Sequence, residues 1–194
     1  MNGDVFMIVA GIDYSLSSPA ICVHEGDTWD YKNCHFYYLV KREKLLEAEM
    51  PFLPNMYPDG YTNDLERYES LSTWSLNILK KHNVEKVFIE GYAFGAVGRV
   101  FQIAENAGLL KYMIWKAGMS IGTIPPTVIK KFATGKGNAN KEKMYDSFFS
   151  ENMVDIRDKC GIMNNGWNPV SDIVDSYYIA KFGLDQEKEN ANQA

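Results

Sequence analysis

The placement of four acidic residues constrains this chain more than any other feature. Asp13 ends the apolar run VFMIVAGID over 5–13, and Glu90 ends VEKVFIE over 84–90. Asp172 and Asp175 stand three apart at the start of SDIVDSYYIAKF, residues 171–182. Short runs rich in β-branched and aromatic residues read as strands. Residues i and i+3 of a helix share a face. Carboxylates at strand ends and on one helical turn can converge on one point, where they repel each other unless cations intervene. Filled with divalent ions, such a cluster is a phosphodiester-cleaving centre. Taken singly, three of the acids have a plainer reading: Asp13 as a turn residue, Glu90 as an exposed strand end, Asp172 as a first-turn acid favoured by the helix dipole. Asp175 is harder to dismiss, since it points with Asp172.

The bulk properties exclude several classes. The 194 residues suit one domain, and an apolar fraction of 46% is ordinary for a globular core. Cys22, Cys34 and Cys160 are odd in number and show no metal-ligand spacing, which argues against a disulfide framework and for a reducing compartment. His24, His35 and His82 form no cluster in sequence, so a zinc site built on histidine or cysteine is not expected. The N-terminal apolar run is too short for a membrane span and lacks a basic leader, so a soluble intracellular protein is the expectation. Net charge is −5, but residues 111–143 hold seven lysines against Glu142, while residues 43–69 hold seven acids against Lys44 and Arg67. One side of an acidic molecule can therefore be positive, either as a nucleic-acid surface or as a solvated face.

The pattern along the chain predicts strands over 5–13, 19–25 and 33–40 as an antiparallel meander. A Pro-bearing insertion over 41–61 is expected to break regular structure. Its Phe52, Leu53, Met56 and Tyr57 either pack on the domain or touch a partner. A helix over 63–82 follows, with Asn63 as cap and Glu66 at capping-box spacing. Next come a strand over 84–89, a helix over 98–117, a strand over 119–124, and helices over 127–132, 139–149 and 171–183, the last capped by Ser171. Residues 185–194 read as a frayed polar tail. The result is one α/β domain, 1–184, with a mixed five-stranded sheet flanked by helices. The loop TGKGNAN, 134–140, lacks the GxxxxGK[ST] pattern. Its glycines still admit phosphate to backbone N–H groups at a helix start. Lys141 and Lys143 lie in that helix's first turn, where the dipole disfavours them, so the loop either meets an outside anion or is a solvent-exposed turn.

Five segments together resemble the RuvC-type Holliday junction resolvases of the ribonuclease H-like superfamily: GIDYSLSSPA from Gly11, FIEGYAFG from Phe88, QIAENAG from Gln102, TVIKKFATGKGNANKEKM after Pro126, and SDIVDSYYIA from Ser171. The match spans most of the chain outside 41–61 and the tail. The fourth segment is the most specific, with its proline, branched residue, lysine and TGxGxAxK-like loop in the family's order.

The resemblance implies a ribonuclease H-like fold and a metal-dependent endonuclease. Such an enzyme resolves four-way junctions, and other branched DNA, by paired nicks leaving 5′-phosphate and 3′-hydroxyl ends. It implies that Asp13, Glu90, Asp172 and Asp175 bind two Mg²⁺ ions, with Mn²⁺ as a substitute, and that Lys141 aids catalysis at the scissile phosphate. It also implies a homodimer through the helix over 98–117. Lys130, Lys131, Lys136, Lys143 and Arg99 are the expected phosphate contacts. Tyr92 and Phe94 are candidates for stacking at the junction centre or for packing in the core or dimer. The long span between Asp13 and Glu90 and the net acidity are similar to divergent viral or phage members, which would act in the host cytoplasm. Cleavage of RNA–DNA hybrids, a non-enzymatic DNA-binding role and a fragment of a sugar-kinase or actin-like ATPase are the rival readings.

Overall fold

The structure, a computed structural model, describes residues 7–91, 100–162 and 166–193. Its strands are β1 (Ile8–Asp13), β2 (Ala20–Glu25), β3 (Cys34–Val40), β4 (Phe52–Met56), β5 (Lys86–Glu90) and β6 (Ser120–Ile124). Its helices are α1 (Asp64–Lys81), α2 (Val100–Lys116), α3 (Pro126–Thr134), α4 (Lys141–Asn152), α5 (Ile156–Lys159) and α6 (Val170–Gln193). The strands form one sheet in the order β4-β3-β2-β1-β5-β6. The first three are an antiparallel meander, and β5 and β6 run parallel to β1.

The sheet has six strands, not five. The extra one, β4, lies inside the segment expected to be irregular and pairs parallel with β3. An edge strand tolerates Pro54, because one side of its backbone ladder has no partner to lose. Burial holds β4 in place: Phe52 is 1% exposed and stacks on Phe36 at 5.1 Å, and Tyr57 is buried just beyond it. Met56 stays exposed. The second difference is at the C-terminus. Residues expected as a frayed tail continue α6 to Gln193. Glu, Gln, Lys and Ala are good helix formers, and Glu187 pairs with Lys86 at 2.5 Å. Elsewhere the expected elements hold to within a few residues. Asn63 caps α1 by accepting from the Glu66 N–H, while the Glu66 carboxylate takes the Thr62 N–H.

Strand alternation divides the core. Ala10, Ile12, Val87 and Ile89 face α1 and α2, packing with Leu71, Leu79, Leu110 and Ile114. Val9 and Phe88 face the other way, into a layer built from α3, α4 and α6. Gly11 lies on this second face, and no larger residue fits there: a Cβ would sit 2.2 Å from the Ala180 nitrogen and 2.4 Å from the Ser176 oxygen. Helix α6 therefore crosses β1 in backbone contact. Gly183 meets the Phe88 ring in the same way. With Ser176 and Ala180 over Gly11, Gly183 over Phe88 and Glu187 at Lys86, α6 runs antiparallel to β1 and β5. Its first turn thus reaches the ends of those strands.

Candidate metal and nucleic-acid site

Asp13 and Glu90 are the last residues of two adjacent parallel strands, one step past the Ile12–Ile89 pair. Alternation turns both to the α6 face, with Gly11 and Phe88. Asp172 and Asp175 come from the first turn and a half of α6, directly above. The four carboxyl groups sense one another. Burial pushes Asp13 well up from the ordinary carboxylate range, with Asp172, Asp175 and Glu90 adding in that order. Burial also raises Asp175, to about 7, with Glu90 and Asp172 adding to it. Glu90 and Asp172 are raised chiefly by burial as well. Asp172 is buried outright, while Asp13, Glu90 and Asp175 keep some surface. Even so, dense protein surrounds the carboxyl groups of all three.

Two lysines oppose this charge. Lys130, on α3, lowers the proton affinity of Glu90 and Asp175. Lys141 does the same for Asp13, Asp172 and Asp175. The Lys141 ammonium donates to Ser171 Oγ at 3.1 Å and approaches Asn168 Oδ1 at 3.5 Å, and Ser171 Oγ donates to Asp172 Oδ1 at 3.3 Å. Ser171 is thus a bridge inside α6 rather than its cap. The loop before α4 is ordered by its own polar groups. Gly135 ends α3 in the left-handed region at φ 76°, and Asn140 caps α4 by accepting from the Lys143 N–H. Lys131, Lys136 and Lys143 are exposed on this α3–α4 layer.

The acids, Lys130 and Lys141 therefore come together, with Lys131, Lys136 and Lys143 on the same layer. Tyr92, Phe94 and Arg99 lie outside the described residues. Sequence reasoning missed Ser18, a buried serine whose side chain lowers the proton affinity of the Asp172 carboxylate. It also missed Ser171 and Asn168 as partners of Lys141. The segment GIDYSLSSPA contains Ser18, but nothing local distinguishes it from Ser15 or Ser17.

The histidines need a correction. His24 is a core residue, stacked on Trp29 at 4.4 Å. His35 and His82, far apart in sequence, do cluster with Glu25. One ligand atom from each of the three lies within 4.8 Å of the others, a grouping that could hold one metal ion. It is the only such group of three or more among the described residues, so the four carboxylates are more widely spaced than this. All three cysteines are free and buried. No described helix is long and apolar enough to cross a membrane.

No family model matches the sequence, and no curated protein does. Solved structures do match. The chain superposes on RuvC of Thermus thermophilus with a TM-score of 0.61 at 18% identity, covering 94% of this chain and 97% of that one. The same organism's RuvC in complex with Holliday junction substrate gives 0.58 at 16%, covering 94% and 96%. The Fowlpox virus resolvase with its substrate Holliday junction DNA gives 0.51 at 12%, covering 93% and 98%. From its central mixed sheet to its flanking helices, this chain has the ribonuclease H-like architecture of the RuvC-type resolvases, shared over nearly its whole length at low sequence identity.

Proposed function

We propose that this chain is a metal-dependent, structure-selective DNA endonuclease that resolves four-way junctions by paired nicks. The observation that carries the reading is the convergence of Asp13, Glu90, Asp172 and Asp175 beside Lys130 and Lys141. Four carboxylates are a hard-oxygen donor set of the kind Mg²⁺ and Mn²⁺ take. Asp172 Oδ2 is buried without a hydrogen-bond partner, a cost that a cation would relieve. The four acids would hold two such ions per site. Divalent ions bound there supply charge neutralisation and a water acidic enough to act as nucleophile.

The chain's own groups do the rest. Ser171 donates to Asp172 and fixes its orientation, and Ser18 favours its charged form. Ser171 and Asn168 anchor Lys141, whose ammonium then faces an incoming phosphate as a fixed positive charge. Lys130, Lys131, Lys136 and Lys143 are suited to the DNA backbone, with Arg99 as a further phosphate contact and Tyr92 and Phe94 as stacking groups at the branch. A water oxygen bonds to phosphorus as the bond to the 3′ oxygen breaks. The products are 5′-phosphate and 3′-hydroxyl ends, and the enzyme forms no covalent intermediate. Two subunits would set two such sites for symmetric nicks. A divergent phage or viral origin would put the protein in the host cytoplasm.

The test is cleavage of labelled four-way junction, flap, plain duplex and RNA–DNA hybrid with Mg²⁺ or Mn²⁺, mapping every nick. Paired symmetric nicks in the junction are expected. Preference for the hybrid would overturn the substrate. Asp13→Asn is expected to abolish cleavage and leave junction binding intact, and full cleavage by that variant would overturn the site.

A further inference from the structure

The geometry points to a second metal site, formed by Glu25, His35 and His82 and suited to a single zinc-class transition ion. It does not depend on the nuclease reading. In the β1–β2 register Asp13 is opposite Ala20, while Glu25 is opposite Ile8. Five strand steps, about 17 Å at roughly 3.3 Å each, therefore separate Glu25 from the carboxylate end of the sheet. Strand alternation also puts Glu25 and His35 on the α1 face, the opposite side from α6. The third donor, His82, is the residue that caps the C-terminus of α1. Three separate elements thus deliver one donor each to the far corner of the molecule.

The distances are near those that an ion needs. His82 Nδ1 lies 2.7 Å from Glu25 Oε1, and His35 Nε2 lies 4.0 Å from the same oxygen. The two imidazoles face each other with centroids 5.2 Å apart at 35°. Tetrahedral zinc with bonds of about 2.0–2.1 Å sets its ligand atoms roughly 3.3 Å apart. One contact must open and the other close by well under an ångström. The Glu25 side chain is 45% exposed and His35 29%, so both can adjust. Two imidazoles and one carboxylate are a set that zinc takes with a fourth position left for water or an outside group. Borderline nitrogen donors favour zinc, cobalt or nickel over Mg²⁺.

The outer support is also present. His82 Nε2 is 2.7 Å from the Tyr37 hydroxyl, which in turn receives the Lys81 ammonium at 3.2 Å. Facing the Glu25 carboxylate, Nδ1 carries the proton donated there, and Nε2 pairs with the Tyr37 hydroxyl. With metal on Nδ1, the proton sits on Nε2 and is donated to the Tyr37 oxygen. Binding therefore displaces the Nδ1 proton but needs no rotation of the His82 ring. Such outer hydrogen bonds orient metal-bound histidine. The ion would tie the end of α1 to β2 and β3.

The experiment is Co²⁺ titration of the full chain, stripped of metal by chelator, followed by visible absorption and then by displacement with Zn²⁺. Asp13→Asn protein is run alongside to remove the contribution of the carboxylate centre. One Co²⁺ per chain is expected, visible equally in Asp13→Asn, displaced by Zn²⁺ and untouched by excess Mg²⁺. Glu25→Gln and His35→Gln are each expected to weaken binding by at least about tenfold, and Tyr37→Phe by a comparable factor through His82. Circular dichroism checks that each variant is folded. Absence of the visible band in wild type, or a band unchanged in folded His35→Gln, overturns the site and leaves a hydrogen-bonded clamp.

Discussion

At the scale of single residues, the four acids are held against their own preference. Asp175 has an ordinary value of 3.8 and is raised to about 7, and Asp13, Glu90 and Asp172 move in the same direction. A carboxyl group raised on folding adds stability in full below its unfolded value and loses it as pH climbs through the folded one. Metal-free protein should therefore become less stable between about pH 4 and pH 7. For Asp175 the loss from pH 5 to pH 8 is on the order of 3 kcal/mol, or roughly 5–10 °C in melting temperature for a chain of this size. Calorimetry in chelator across that range checks it, and Asp175→Asn should make the slope shallower, leaving the share that Asp13, Glu90 and Asp172 contribute. Added Mg²⁺ should stabilise the protein more at pH 8 than at pH 5, where protons compete for the carboxylates. A slope of the opposite sign would mean that the acids are not buried together. The four acids were legible in sequence because each sits at an element boundary. Ser18 was not, since it meets Asp172 only once α6 lies on the sheet, and the Glu25–His35–His82 group was not, since its meeting depends on the β2–β3 register and the end of α1.

At the scale of elements, everything at the carboxylate centre depends on how closely α6 lies against β1. That closeness comes from Gly11, where helix backbone occupies the space a side chain would need. Gly11→Ala would push α6 outward and carry Asp172 and Asp175 away from Asp13 and Glu90. Overpacking typically costs about 1–3 kcal/mol, and a clash with backbone belongs at the upper end. On the proposed function, cleavage should fall far more than folding, by roughly a hundredfold, because a misplacement of about 1 Å at a reacting centre is enough for that. Urea melts and cleavage assays on the same preparation would separate the two effects. Equal losses would show that α6 only stabilises. A control at a distance is Asn63→Ala, which removes the α1 cap. It should cost about 1 kcal/mol and leave cleavage per folded molecule unchanged. The strands and helices were readable where apolar period and caps agreed, as at α1. β4 was hidden because Pro54 argues against a strand and only the edge position excuses it. The last turns of α6 were hidden because their polar sequence resembles a tail, and the Lys86–Glu187 pair is visible only once β5 and α6 run antiparallel.

At the scale of the whole molecule, α2 leaves an apolar stripe in water. Phe101 is 80% exposed, Tyr112 53% and Trp115 69%. With Glu105 and Gly108 they fall at steps of four and three, along one helix face. Nothing lies within 4 Å of a Cβ built on Gly108, so a second helix could approach closely there. Ala107, Leu110 and Ile114 already bury the opposite face against the sheet. Large exposed aromatic groups in a row mark a contact surface, and a self-complementary pairing with twofold symmetry would cover both copies at once. On the proposed function, that pairing is also what couples the two nicks. Phe101→Glu with Trp115→Glu should turn a dimer into a monomer, read by light scattering after gel filtration, with the circular dichroism spectrum unchanged. Its nicking of a single strand should stay within a few-fold of wild type, while the product cut on both strands should fall by at least about tenfold, since the second cut then needs a separate encounter. A monomeric wild type at micromolar concentration would remove the stripe from the mechanism. A double variant that still makes both cuts at the wild-type rate would show that coupling runs through some other surface.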